Sequence, residues 1–353
     1  MQPKTKAITA AVTGSALGVA GLAWLAMPAT AGEAPQLPAI SAEELVQSVA
    51  TTTTPALNGT VAVENNLGLP VSSLPGGTSL DVDGARVLTD GAGNSKLSVE
   101  QGAGEQTVVR NGDTIWSYRS QDNTARKVTV PAEAVQQPRG GLEVSDPATA
   151  TARLLDKVRE SSTVTVEGTA RVAGRAAYEL VLTPKPTERT LLREVRVAVD
   201  AEKRVPLRLA VMNYGTADPA FQVAFSDIAF APQAASEFTF TPPHGAKVTE
   251  EALPADRPGK EAAQDALATT GDGWDTVITG TFPAEELQPQ DDRSGGNVDP
   301  KAVLARFGKP VSGAFGSGYV ITTKVVTALV TDDGRFAVGA VPEQVLTEAL
   351  GSK

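Results

Sequence analysis

Between Gly59 and Val130 the chain is a run of short β-prone segments cut by turn dipeptides, and no other feature restricts the possible folds as much. Asp83-Gly84, Asp90-Gly91 and Asn111-Gly112 are strong hairpin signals. The segments between them span residues 60–64, 79–82, 86–88, 95–99, 106–110, 114–118 and 126–130. Connections this short join only antiparallel neighbours, because a parallel pair needs a crossover of a dozen residues or more. Leu97 and Val99, and later Val128 and Val130, alternate with polar neighbours. The pattern predicts a sheet with one apolar and one wetted face.

Two helices are predicted beside this sheet. Ser41 and Glu44 form a capping box ahead of Leu45, Val46 and Val49. Asp146-Pro147 is a cap followed by proline at the first helical position, and Leu154, Leu155 and Val158 then make an apolar stripe. Strands return at 163–173, 175–183, 192–200, 206–213 and 221–230.

The composition changes after Thr249. Residues 250–300 carry twelve Asp or Glu and three Lys or Arg, with prolines at 254, 258, 283 and 289. Residues 250–261 are read as an acidic, Pro-rich linker. Beyond it the pattern predicts helices at 262–268, at 300–306 from Asp299-Pro300, and at 342–350 ended by Gly351. It also predicts strands at 274–280, 319–330 and 335–341, the last two flanking an Asp332-Asp333-Gly334 hairpin. This gives a small α/β block over 262–353.

The N-terminus begins with Lys4 and Lys6, runs apolar from Ala7 to Met27 and ends in small residues at Ala29 and Ala31. Residues 1–31 have the layout of a secretory signal peptide, with an uncleaved N-terminal anchor as the alternative, and 32–40 form a tether. The mature chain is therefore extracytoplasmic, secreted or in the cell envelope, and membrane-tethered if the signal stays. The Ala, Val, Thr and Gly bias resembles an actinobacterial composition.

Several chemistries are excluded. The chain has no cysteine and one histidine, so thiol chemistry and Cys- or His-based metal sites are absent. His244 sits in a Pro-Pro-His-Gly turn, and Gly316-Ser317-Gly318 lacks the strand-to-helix frame of a nucleophile elbow. Asp332-Asp333-Gly334 has no calcium-loop ladder after it. A formal charge of −10 argues against nucleic acid as a partner. No catalytic set, metal site or cofactor motif is found, and the chain is not read as an enzyme.

Four segments together resemble the LolA-like family. They are Val109–Tyr118, with its Asn111-Gly112-Asp113 turn ahead of Trp116 and Tyr118; Val172–Lys185; Val199-Asp200 followed by Val205-Pro206-Leu207-Arg208; and Phe238–Val248. The resemblance implies an α+β fold over residues 41–249: an incomplete antiparallel β-barrel, or half-barrel, closed by helices around an apolar cavity for acyl chains. It implies periplasmic transport of a lipid or an acylated lipoprotein without catalysis. The candidate cavity residues are Leu45, Val49, Leu97, Val99, Val108, Ile115, Trp116, Leu154, Leu155, Leu180, Leu182, Val197 and Leu209. Regulators of the RseB type share the half-barrel and carry a second domain. The alternative is therefore a sensor that binds a membrane-anchored protein such as an anti-sigma factor.

Overall fold

A computed structural model describes residues 34–68, 82–101, 104–130, 158–252, 267–282, 290–291, 297–298 and 300–351. The first half contains α1 (Ala42–Thr51) and strands β1 (Leu57–Asn65), β2 (Val82–Thr89), β3 (Ser95–Gln101), β4 (Gly104–Asn111), β5 (Thr114–Arg119) and β6 (Thr124–Thr129). β7 (Ser162–Val172), β8 (Arg175–Pro184), β9 (Leu192–Asp200), β10 (Pro206–Asn213), β11 (Phe221–Ala229) and β12 (Lys247–Ala252) follow. They form one open 12-stranded sheet in the order β12-β6-β5-β4-β3-β2-β1-β11-β10-β9-β8-β7. This is the α+β half-barrel that the family resemblance implies: two antiparallel meanders joined through β1 and β11, with the sheet left unclosed.

β12 is the exception to the antiparallel pattern, since it runs parallel to β6. After β11 the chain crosses one sheet face as a strap, with a 3-10 turn at Ala235–Phe238 that buries Phe238 against Leu88 and Val109. A strand that follows such a return crossover arrives parallel to its neighbour. The first sheet therefore reaches Ala252, and residues 250–252 are strand where a linker was expected.

The remaining strands form a second, antiparallel sheet. β13 (Leu267–Thr270), β14 (Val277–Thr281), β17 (Lys309–Gly313), β18 (Gly316–Thr322), β19 (Thr327–Thr331) and β20 (Arg335–Gly339) take the order β13-β14-β20-β19-β18-β17. A two-residue ribbon, β15 (Gln290–Asp291) with β16 (Asn297–Val298), lies apart from it. α2 (Pro300–Phe307) precedes β17, and α3 (Glu343–Gly351) buries Leu346 and Leu350 against Val277, Val320, Leu329 and Ala337.

The local corrections have physical causes. Asp83-Gly84 is not a turn; it lies within β2, opposite a register shift in β1. The predicted 319–330 strand is two strands. The Thr323 hydroxyl accepts the N–H groups of Val325 and Val326 and turns the chain there. Ala268 is in β13 rather than a helix, and residues 262–266 lie outside the described set. β17 was missed because Pro310 reads as a strand breaker; it is tolerated on the sheet edge, where no ladder partner needs its N–H. The signal peptide, the 146–157 helix and most of the 250–261 segment also lie outside the described residues.

Candidate functional site: an apolar sheet face

Strand register decides which side chains share a face, because directly opposed residues of an antiparallel pair point the same way. Val87 opposes Leu97, which opposes Val108, and Ala85 opposes Val99. Arg110 opposes Ile115, which opposes Val128. Across the sheet centre Val61 opposes Ala85, and Val63 opposes Val223, which opposes Leu209. Leu209 opposes Val197, which opposes Leu180. One continuous face therefore carries an aliphatic stripe from β6 to β8.

α1 covers one end of this face. Its start is fixed by the capping box: the Ser41 hydroxyl accepts the Glu44 N–H at 3.2 Å, and the Glu44 carboxylate accepts the Ser41 N–H at 3.0 Å. The Ser41 backbone hydrogen bond holds the Glu44 carboxyl below its usual range. Leu45 is fully buried against Tyr178, Leu180 and Val199, with Val49, Leu182 and Val197 packed around it. Upstream of α1, the carbonyls of Pro35 and Pro38 accept hydrogen bonds from Thr169 and Tyr178, and Leu37 and Ile40 join the same cluster. The 34–40 segment is thus packed along β7 and β8.

The rest of the face is open to a different degree. Leu97 is 39% exposed and Leu209 40%, while Val99, Val108 and Ile115 are half-buried, so the exposed leucines belong to a continuous apolar patch. Of the residues singled out from sequence, Leu97, Val99, Val108, Ile115, Leu180, Leu182, Val197 and Leu209 share this face, and Leu45 and Val49 come from the helix laid on it. Trp116 does not belong with them. It opposes Val109 on the other face and packs on Phe240 at 5.4 Å between ring centroids, because adjacent residues of a strand point to opposite faces. Leu154 and Leu155 lie outside the described residues. Val61, Val63 and Val223 were missed; their i, i+2 spacing in β1 and β-branched character in β11 were the available signal.

Charge divides between the two faces. Among the described residues that have a register partner in the first sheet, Glu64, Glu100, Glu105, Glu179, Glu194, Asp200, Asp227 and Glu250 take the opposite face and Glu251 the apolar one. Arg110, Arg119 and Arg126 lie on the apolar face, as does Lys247 at its edge. The opposite face also holds a cavity of about 460 Å³ lined by Arg86, Lys96, Glu100, Glu105 and Glu237. Its charged walls make it unsuited to an acyl chain, which gains only by leaving water for apolar surface.

Among the described residues, the most buried ion pair also lies on that side. Asp200 has a fully buried side chain and pairs with Arg175. Burial pushes its carboxyl up, but hydrogen bonds from Arg175 and from the N–H groups of Lys203 and Glu202 outweigh burial, and the net position is below the usual range.

The second sheet is joined to the first through the start of β7 and the β8–β9 connection. The Trp274 indole N–H donates to Ser162 Oγ at 2.7 Å, and its backbone N–H to the Glu188 carboxylate at 2.8 Å. Arg189 makes a forked pair with Glu348, and the Leu191 N–H donates to the Ala340 carbonyl. Among the described residues no group of three or more His, Asp or Glu side chains is placed to hold a metal, and no helix is long and apolar enough to cross a membrane. His244 is exposed in its turn.

The sequence model of the MucB/RseB N-terminal domain family matches residues 87–252. No curated protein matches the chain. Among solved structures, it is similar to the Pseudomonas aeruginosa MucA/MucB complex at 16% identity and a TM-score of 0.45, covering 88% of this chain and 96% of that one. A conserved protein from Thermus thermophilus gives 12% identity and a TM-score of 0.36 over 60% and 99% of the two chains. A LolA superfamily protein from Nitrosomonas europaea gives 13% and 0.23 over 57% and 99%.

Proposed function

We propose that this chain, whose residues 87–252 match the MucB/RseB N-terminal domain model, is an extracytoplasmic binding protein that takes a hydrophobic ligand, a lipid or the acyl chains of a lipoprotein, on its apolar sheet face. The carrying observation is the aliphatic stripe running across the sheet from β6 to β8, with Leu97 and Leu209 left exposed. Each CH₂ group removed from water there gains about 0.8 kcal/mol, so a long acyl chain binds tightly without specific polar contacts. The ligand-facing residues are Leu97, Val99, Val108, Ile115 and Leu209, and α1 covers the neighbouring Leu180, Leu182 and Val197. The binding unit is residues 41–252, with β12 completing its sheet, and the 262–353 block is an attachment to it. No catalytic step is assigned.

Native mass spectrometry of residues 32–353, purified without detergent from a lipid-rich host, tests this reading alongside lipid extraction of the same sample. A stoichiometric lipid adduct is expected. A clean apo mass that adds no lipid on reconstitution sinks it.

The family match favours one further reading, in which the chain senses a ligand for a membrane-anchored protein such as an anti-sigma factor. The solved MucB structures include one with MucA. Pull-down from envelope membranes with the intact chain should then recover one stoichiometric membrane protein, and recovery should change when lipid is added. Recovery of none rejects this reading.

A further inference from the structure

Among the described residues of the first sheet, the apolar face carries fewer carboxylates than the opposite face. The chain carries a formal charge of −10, which repels it from any anionic surface. Among the described side chains on the open part of the face, built by β2–β6 and β12, the charged strand residues are Arg110, Arg119, Arg126 and Lys247 against Glu251, with Asp122 of the β5–β6 turn beside Arg119. The opposite side of the same strands holds Glu100, Glu105 and Glu250 beside Arg86, Lys96 and Lys127, with no excess of cations. Arg119 and Arg126 pair with Asp122 and Glu251, but all four side chains are well exposed, and such pairs exchange partners at little cost. Arg110 lies towards the β4–β5 turn and Arg119 at the other end of β5, so the cations bracket the aliphatic stripe along the strands.

We propose that this open part of the face docks on an anionic lipid bilayer, its arginines and Lys247 meeting headgroup phosphates while Leu97 and its neighbours meet the acyl boundary. The inference rests on the apolar-face reading above and adds the surface from which the face collects its ligand. Charge complementarity selects the occupant. An uncharged apolar partner leaves the cations unexplained, and an anionic bilayer supplies both an acyl layer and a dense array of phosphates. Each basic side chain near such a surface is worth about fivefold in partitioning, and the effect fades within a Debye length.

The test is flotation of the intact exported chain with vesicles of phosphatidylcholine alone and with roughly 30% phosphatidylglycerol. Binding is expected only with the anionic lipid, and it should vanish in about 0.5 M salt. The triple variant Arg110→Glu, Arg119→Glu, Lys247→Glu should lose at least about 100-fold in partitioning, with urea stability confirming that it folds. Arg86→Glu with Lys96→Glu, on the opposite face, should bind vesicles as the unaltered chain does. Equal binding to both vesicle types, no effect of the triple variant, or an equal loss in the opposite-face control overturns the proposal. Retention on a polyglutamate column without vesicle binding assigns the face to an acidic protein and also overturns it. A fluorescent fatty-acid titration separates the two readings. Uptake without vesicle docking rejects docking alone, and loss of both rejects the apolar face as a binding site.

Discussion

Replacing Leu97 by aspartate separates a ligand surface from a core. Leu97 is 39% exposed, so folding buries roughly three-fifths of its side chain. Full burial of leucine is worth about 2 kcal/mol, and the folding share is then about 1 kcal/mol. Leu97→Asp should therefore lower stability by about 1 kcal/mol and leave the urea slope unchanged. Binding should suffer far more. A ligand lying on Val99, Val108 and Ile115 would cover position 97 and strip water from an unpaired carboxylate, at a cost of several kcal/mol. An affinity loss of about 100-fold or more is expected. The assay is titration with a dansyl-labelled fatty acid beside urea unfolding of the same sample. Leu209→Asp, 40% exposed on the same face, should behave alike. Affinity and stability falling by the same free energy would show that the face is only core, and the binding argument would fail.

Leu45→Ala removes a fully buried side chain from the α1 contact and should cost about 2–5 kcal/mol in urea unfolding. Trp274→Phe strips the buried Ser162 hydroxyl of its indole donor, at about 1–3 kcal/mol, and hydrogen exchange at the Leu191 amide should quicken as the sheet-to-sheet contact loosens. Asp200→Asn breaks the Arg175 pair and should cost about 3 kcal/mol at neutral pH. Because the folded Asp200 carboxyl sits below its unfolded value, its contribution is complete above pH ~4 and disappears as pH falls through the folded value. Stability of the unaltered chain should therefore drop faster than that of the asparagine variant over this acid range, and equal slopes in acid unfolding would contradict the assignment.

Much of the sheet was legible because its information is local. β9 and β10 fall at 192–200 and 206–213 as the alternation and turn residues predict, and the α1 capping box is present with both of its hydrogen bonds. What was not legible depends on contacts distant in sequence. β12 has no local mark of parallel pairing; its direction follows from the strap that crosses the sheet after β11. The bend at 323–326 depends on one hydroxyl, which alternation does not register.

Trp116 illustrates the limit at the site. β4 carries Val108 beside Val109, and β5 carries Ile115 beside Trp116, so each strand offers an apolar residue to both faces. Periodicity alone cannot then say which face is covered by the chain itself and which is left open. The strap breaks the tie by placing Phe238 and Phe240 over Val109 and Trp116, leaving Val108 and Ile115 on the open side. A second signal was in the sequence and needed only parity. Glu100 in β3 and Glu105 in β4 alternate with Val99 and Val108, so the carboxylates fall on the strap side once register is fixed. Carboxylate parity along adjacent strands thus marks the face that an acyl-binding sheet does not use, since a charge left unpaired under an acyl chain costs more than several methylene groups return.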